Sequence, residues 1–256
     1  MNLKALTIPI LLAGLSAACT SSSPTHRVQT AGSTTTSPST PAPSPSAYQP
    51  TIDPVNFTNV IDNPLFPLKP GTRFVYKGVR DGQPQTDVVE VTAQTKAIMG
   101  VTSVAVLDTA THGAQLLEKT TDWYAQDREG NVWYFGEDTA EYNRKGKVSS
   151  REGSWQGGVD GAQPGIIMPA HPEVPFSYRQ EFYAGHAEDM AWLITTGQAT
   201  KVPYGSFHDA IVTLEWTRLE PDVVSEKLYA PGVGLISEHD VAGGDERSEL
   251  VSVTTG

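Results

Sequence analysis

Cysteine is almost absent from this chain: Cys19 stands alone. No intrachain disulfide can form, and neither a Cys-x-x-Cys motif nor a zinc cluster of cysteines can be built. Acidic residues are missing from positions 1–52, and Asp53 is the first. All 29 Asp and Glu follow, so the net charge of −11 understates how acidic the remainder is. An acidic surface repels nucleic-acid phosphates, which excludes nucleic acid as an expected partner. The apolar run at 5–15 is too short to span a bilayer permanently. Helical periodicity is scarce as well, and the best helix candidate is the short stretch 188–193.

The first fifty residues read as address and tether. Lys4 and the amino terminus give a positive start, the apolar run follows, and Ser16, Ala17 and Ala18 lead to Cys19. This is the layout of a secretory signal peptide over 1–18. A sole cysteine directly after small residues resembles a bacterial lipobox, in which the thiol takes a diacylglycerol and the cysteine becomes the new N-terminus. Leu15 sits four before the cysteine here, where the lipobox leucine usually sits three before. Residues 19–51 are rich in Ser, Thr, Pro and Ala. Such composition buries too little surface to offset ordering entropy, so a disordered tether is expected. The implied partner is a membrane, either the cell membrane or an outer membrane, held through acyl chains on Cys19 with the domain outside the cytoplasm.

Residues 52–256 read as a single β-rich domain. Its 23 Gly and 19 Pro are shared with the leader and tether, yet turn signals recur about every eight to twelve residues. Between them lie about a dozen strand-like runs, among them 72–79, 86–95, 101–111, 116–126, 190–202 and 207–218. Short linkers favour antiparallel neighbours. The expected class is all-β: an antiparallel meander forming a curved sheet, half-barrel or sandwich, with at most one or two short helices.

The stretch 122–137 is the strongest hairpin signal. Trp123, Tyr124, Trp133, Tyr134 and Phe135 flank Asp127-Arg128-Glu129-Gly130, which suits a type I turn closed by a left-handed glycine. Asn143-Arg144-Lys145-Gly146 repeats that form. A three-residue loop would pair Tyr124 with Tyr134 and Trp123 with Phe135; a four-residue loop would shift both by one. Either register puts aromatics on both faces, so both need cover or one is offered to a ligand. Trp155, Trp192 and Trp216 read as core.

Candidate chemistry is sparse. The glycine-rich run 157–165 lacks the strand, helix and Lys-Ser/Thr of a phosphate loop, and reads as a long surface loop with Gln163 as a possible ligand contact. Glu188 and Asp189, with Glu137 and Asp160, are the residues that could hold a hard cation such as Ca²⁺, although no cofactor is expected. A capping acidic turn accounts for 186–189 equally. Ser206, His208 and Asp209 lie close in sequence, whereas a catalytic triad is assembled from distant segments.

The motifs W-Y-A-Q-D-x-x-G-N-V-W-Y-F-G-E, V-D-G-A-Q-P-G-I-I-M-P, A-E-D-M and Y-A-P-G-V-G-L resemble a family of uncharacterised bacterial secreted proteins and lipoproteins, over about 70–238. The resemblance implies location and a β-rich fold and carries no chemistry. By layout alone the chain is also similar to curved half-barrel lipoproteins that carry lipid in the envelope. The expected function is a binding or envelope-associated module for an apolar or sugar-like ligand, with Tyr124, Trp133 and Tyr134 facing the ligand. The competing expectations are a hydrolase using paired carboxylates and a purely structural envelope protein.

Overall fold

The computed structural model describes residues 48–256. The expected leader (1–18), Cys19 and all but the last few residues of the expected tether lie outside the described residues. Tyr48 already packs on the domain, its ring 6.1 Å from Phe182, so the packed chain starts four residues ahead of the expected boundary at Ile52.

The domain is nearly all β, as the turn spacing implied. Two antiparallel meanders of five strands form it. The first runs through β2 (Thr72–Arg80), β3 (Gln83–Ile98), β4 (Val101–His112), β5 (Gln115–Asp127) and β6 (Val132–Tyr142). The second runs through β12 (Asp189–Val202), β13 (Gly205–Thr217), β14 (Val224–Ala230), β15 (Gly234–Ala242) and β16 (Arg247–Thr255). Pairing of β16 with β2 fuses them into one sheet. Between the meanders lie β7 (Val148–Ser150), β8 (Trp155–Gln156), β9 (Gln163–Met168), β10 (Phe176–Arg179) and β11 (Glu181–Phe182). The two-residue β1 (Phe57–Thr58) pairs with β5. Pro54–Asn56 forms one 3-10 turn, capped by the Asp53 carboxylate accepting from Val55 N.

One extended segment brings the edges of this sheet together. β10 pairs with β12, β11 pairs with β9, and only Gln180 separates β10 from β11. The chain thus hands its hydrogen bonds from one edge to the other within a single strand, and Gln180 N donates to Asp189 O at 2.9 Å. The sheet is nearly closed into a barrel. Glycine makes the close approach possible: a Cβ on Gly165 would sit 2.4 Å from Gln180 C and 2.5 Å from Arg179 O.

The glycine-rich run therefore departs from the surface loop expected of it. Residues 158–161 are exposed, but Gln163–Met168 is strand β9, with Ala162, Gly165, Ile167 and Met168 buried. Nor is 188–193 helical; it opens β12. Its Ala191 and Leu193 alternate with Met190 and Trp192, which is strand periodicity. The tryptophans also divide: Trp155 is core, whereas Trp192 is 43% exposed.

The aromatic hairpin folds with the three-residue loop. Asp127 N donates to Asn131 O, Gly130 N to Asp127 O, and Gly130 has φ +97°. Asn143–Gly146 repeats these bonds at Gly146 and Asn143. Tyr124 pairs with Tyr134, but a bulge follows and Trp123 faces Gly136 rather than Phe135. The reason is again local space, because a Cβ on Gly136 would meet Trp155 O at 2.5 Å. Inside the barrel the Tyr124 and Tyr134 rings stack at 4.9 Å, with Phe66 edge-on to Tyr124 and Trp155 edge-on to Tyr134. Outside, Trp123, Ala125 and Phe135 join Ile98, Val101 and Ala105 under Ile52 and Phe57. The segment 52–70 thus supplies cover on both faces.

Replacing Gly165 with alanine should remove about 2 kcal/mol or more of stability in urea unfolding, because backbone must move to admit the methyl. Gly205→Ala, whose Cβ meets nothing nearer than 3.8 Å, should change it by less than about 0.5 kcal/mol.

Candidate functional site

Cross-strand register defines rows of side chains on the inner face, since directly paired residues point the same way. One row runs Tyr76, Asp87, Ala110, Glu118. The next runs Phe74, Val89, Asp108, Thr120, Thr139. A third is Val91, Val106, Asp122, Glu137. In the second meander Thr213, Lys227, Glu238 and Ser248 form a row, flanked by Ala191, Glu215 and Ser225. Carboxyls therefore share the interior with apolar groups, and Asp87, Glu118, Asp122, Glu137, Glu181 and Glu215 are all 3% exposed or less.

Cations are few beside them. Lys227 Nζ lies 3.0 Å from Glu215 and 3.3 Å from Glu238. Burial pulls the Lys227 pKa down, but these two carboxylates outweigh it and leave it above the usual lysine range. Arg80 reaches Glu246 at 3.6 Å. Three other acids accept from neutral donors: Asp122 from Tyr134 at 2.7 Å, Glu118 from Thr120 at 2.9 Å, Asp87 from Gln85 at 3.0 Å. Burial pushes Glu118 up to about 7 and Asp87 and Asp122 up to about 8, against a partial downward pull from these donors. Glu137 and Glu181 are raised well above the carboxylate range, first by burial and then by nearby acids: Glu181 and Asp122 for Glu137, Asp189 for Glu181. A buried carboxyl without a cation is cheaper to keep protonated than ionised.

The residues singled out from sequence scatter across this frame. Tyr124 and Tyr134 are buried, and the crevice beside Tyr124, lined also by Phe66, Val106 and Leu235, holds about 40 Å³. That volume is on the scale of a water or two, well below a drug-sized ligand. Trp133 is half-buried on the outer face, its indole N–H donating to Asp127 at 2.8 Å. Gln163 is half-buried at the start of β9. Glu137 and Asp189 lie in the same buried acid cluster. Glu188 instead caps its own turn, accepting from Gly185 N at 2.7 Å and pairing with Arg218. Asp160 is exposed in the loop with φ +50°. Among the described residues no group of three or more His, Cys, Asp or Glu is arranged to hold a metal ion.

A roomier concavity lies on the other side of the second meander. Val212, Leu228, Ser237 and Glu249 pair in one row, a residue out of phase with the inner row of Thr213, Lys227, Glu238 and Ser248. They therefore face outward. Over them folds the β12–β13 hairpin, whose register shifts three times between Leu193 and Thr200. Tyr204 at its tip donates through its backbone N–H to Leu250 O of β16 at 3.0 Å. The groove beneath this arm has a volume of about 470 Å³.

The molecule is thus a single-sheet antiparallel barrel with a protonatable interior and an outer groove. No protein-family model and no curated protein matches the sequence. Among solved structures, it is similar to a protein described as exported, with a YmcC-like fold, from Bacteroides fragilis: 15% identity, TM-score 0.44, covering 75% of this chain and 99% of that one. Another, described as a lipoprotein from Parabacteroides distasonis, shares 12% identity at TM-score 0.41, covering 74% of this chain and 98% of that one. Both TM-scores are under 0.5.

An acid whose pKa is raised on folding keeps its proton in the native state after the unfolded chain has lost it. Its stabilising share is full below the unfolded values of 3.8 and 4.5 and is gone above about 7 to 8. The melting temperature should therefore fall by about 10 °C or more between pH 5 and pH 9. Asp122→Asn should flatten that profile. A profile that is level or rises over this range would show that the interior acids are ionised and compensated.

Proposed function

We propose that the protein is a lipid-anchored, extracytoplasmic binding module, displayed on a Ser/Thr/Pro tether. The observation that carries this reading is the place of its sole cysteine. Cys19 directly follows Ser16-Ala17-Ala18 at the end of the apolar run, and an acid-free, Pro-rich stretch follows it. Twenty-eight residues lie between Cys19 and Tyr48 in the sequence. Fully extended they reach about 100 Å, enough to hold a domain clear of headgroups or pass it through a wall.

The root of that tether is fixed on the barrel. Tyr48 packs edge-on to Phe182 of β11, and the Arg179 guanidinium lies over both rings at 5.5 and 4.9 Å. An anchored module presented this way has its sheet surfaces free for a ligand.

Binding fits the chain better than hydrolysis. A carboxylate pair would have to face a substrate across an open cleft. Glu137 and Asp189 are buried inside the barrel, Glu188 is tied to its turn and Arg218, and Asp160 stands apart on an exposed loop. The outer surface offers a roomier concavity than the crevice beside Tyr124.

Protein purified from the membranes of its own cells should carry the mass of acyl groups on Cys19 by intact mass spectrometry. Cys19→Ser should lose that mass and move to the soluble fraction; equal membrane partitioning of variant and wild type would refute the anchor.

A further inference from the structure

We propose that the outer groove beneath the β12–β13 arm binds a neutral oligosaccharide, with Trp192 as the platform on which a sugar ring stacks. This deepens the binding reading above and rests on it. The occupant is chosen by the chemistry of the groove, and four observations agree on it.

The first is size. About 470 Å³ falls within the range of small-molecule sites, roughly 300–1,000 Å³, and is an order of magnitude above the crevice beside Tyr124. The second is the mixture of groups. Ile194, with the largely covered Val212 and Leu228 beneath it, supplies apolar surface, while Gln198, Thr200 and Ser237 bring amide and hydroxyl groups. Sugars present the same mixture: hydroxyls that both donate and accept, and C–H faces that are apolar. Side-chain amides and hydroxyls match the first, and aliphatic and aromatic surfaces match the second.

Charge is the third. Glu226, Glu249 and His239 line the groove, and no Lys or Arg does; Arg247 and Lys77 stand next in their rows, beyond His239 and Glu249. His239 Nε2 lies 3.7 Å from Glu226. The lining itself is acidic and offers carboxylate oxygens to ligand hydroxyls, which favours a neutral ligand. The fourth is Trp192. Its neighbours along the sheet are Leu214, then Glu226, then His239, so it stands at the groove's margin, outside the lining itself but in the same outward row as two of the lining residues. Ile194, two residues on, lines the groove itself. At 43% exposure, Trp192 is the only tryptophan among the large hydrophobic side chains that the described residues leave exposed. An indole face kept in water beside hydrogen-bonding groups is a surface that gains from being covered.

Preorganisation follows from the backbone. The arm is bent by its three register shifts and pinned at its tip by the bond from Tyr204 N to Leu250 O. A ligand entering the groove would meet a wall already in position, which lowers the entropic cost of binding.

The test is isothermal titration of the full lipidated chain in detergent micelles. The probes are cellotetraose, maltotetraose, mannotetraose and tri-N-acetylchitotriose, so the arms separate plain hexose chains from N-acetylated ones. At least one should bind. Trp192→Ala should weaken that binding about tenfold or more, and Gln198→Ala should weaken it less. Val148→Ala, exposed on β7 outside the groove, should leave it unchanged. Binding that survives Trp192→Ala at full strength would overturn the site while sparing the membrane-anchored binding reading. No binding by any of the four would overturn the saccharide assignment, and the acyl mass on Cys19 would still decide the anchor separately.

Discussion

Everything in this domain depends on one strand changing partners. Residues 176–182 bond first to β12 and then, past Gln180, to β9. Without that exchange the two meanders would form an open sheet with two bare edges. With it, the edges meet and an interior is enclosed. The exchange needs two backbones closer than any side chain permits, which is why Gly165 faces the peptide of Gln180.

Enclosure sets the electrostatics. In the barrel interior, acids share the space with apolar residues. Since Lys227 already serves Glu215 and Glu238, Asp87, Glu118 and Asp122 have amide, hydroxyl and phenol partners in place of cations. They are tolerated by holding their protons. The hairpin shows the same economy in its packing, because the segment 52–70 covers its outer face with Ile52 and Phe57 and its inner face with Phe66. The outer groove proposed for recognition has a wall because the β12–β13 hairpin bulges repeatedly and bends back over the sheet.

Strands and turns were readable along the chain because they are local. The runs 72–79, 101–111 and 116–126 lie within a few residues of β2, β4 and β5. The turns at 127–130 and 143–146 close as their glycines require. The buried acids were also legible in part. Asp87 is in phase with Val89 and Val91, Asp108 with Val104 and Val106, and Asp122 with Tyr124. Period-2 counting that treats an acid as outward by default passes over this signal. The end of the glycine run and Trp192 were read the wrong way round. Residues 158–161 are the exposed loop expected, but Gly165 marks close approach, and a tryptophan in a strand suggested core, whereas Trp192 faces outward. Neither reading can be corrected locally, since each depends on what a distant strand places opposite.

By itself the sequence determined the class: short alternating runs joined by tight turns favour antiparallel pairing with their sequence neighbours, and this makes an antiparallel β domain. It also determined the lone Cys19 behind an apolar leader, on which the proposed anchor rests. Tertiary structure alone decided that the sheet closes, which face is inside, and hence that the aromatic hairpin is core and the open ground lies beneath the β12–β13 arm. Those outcomes turn on contacts between residues far apart in the chain, such as Gly165 with Gln180 and Tyr204 with Leu250, and periodicity along one strand carries no information about them.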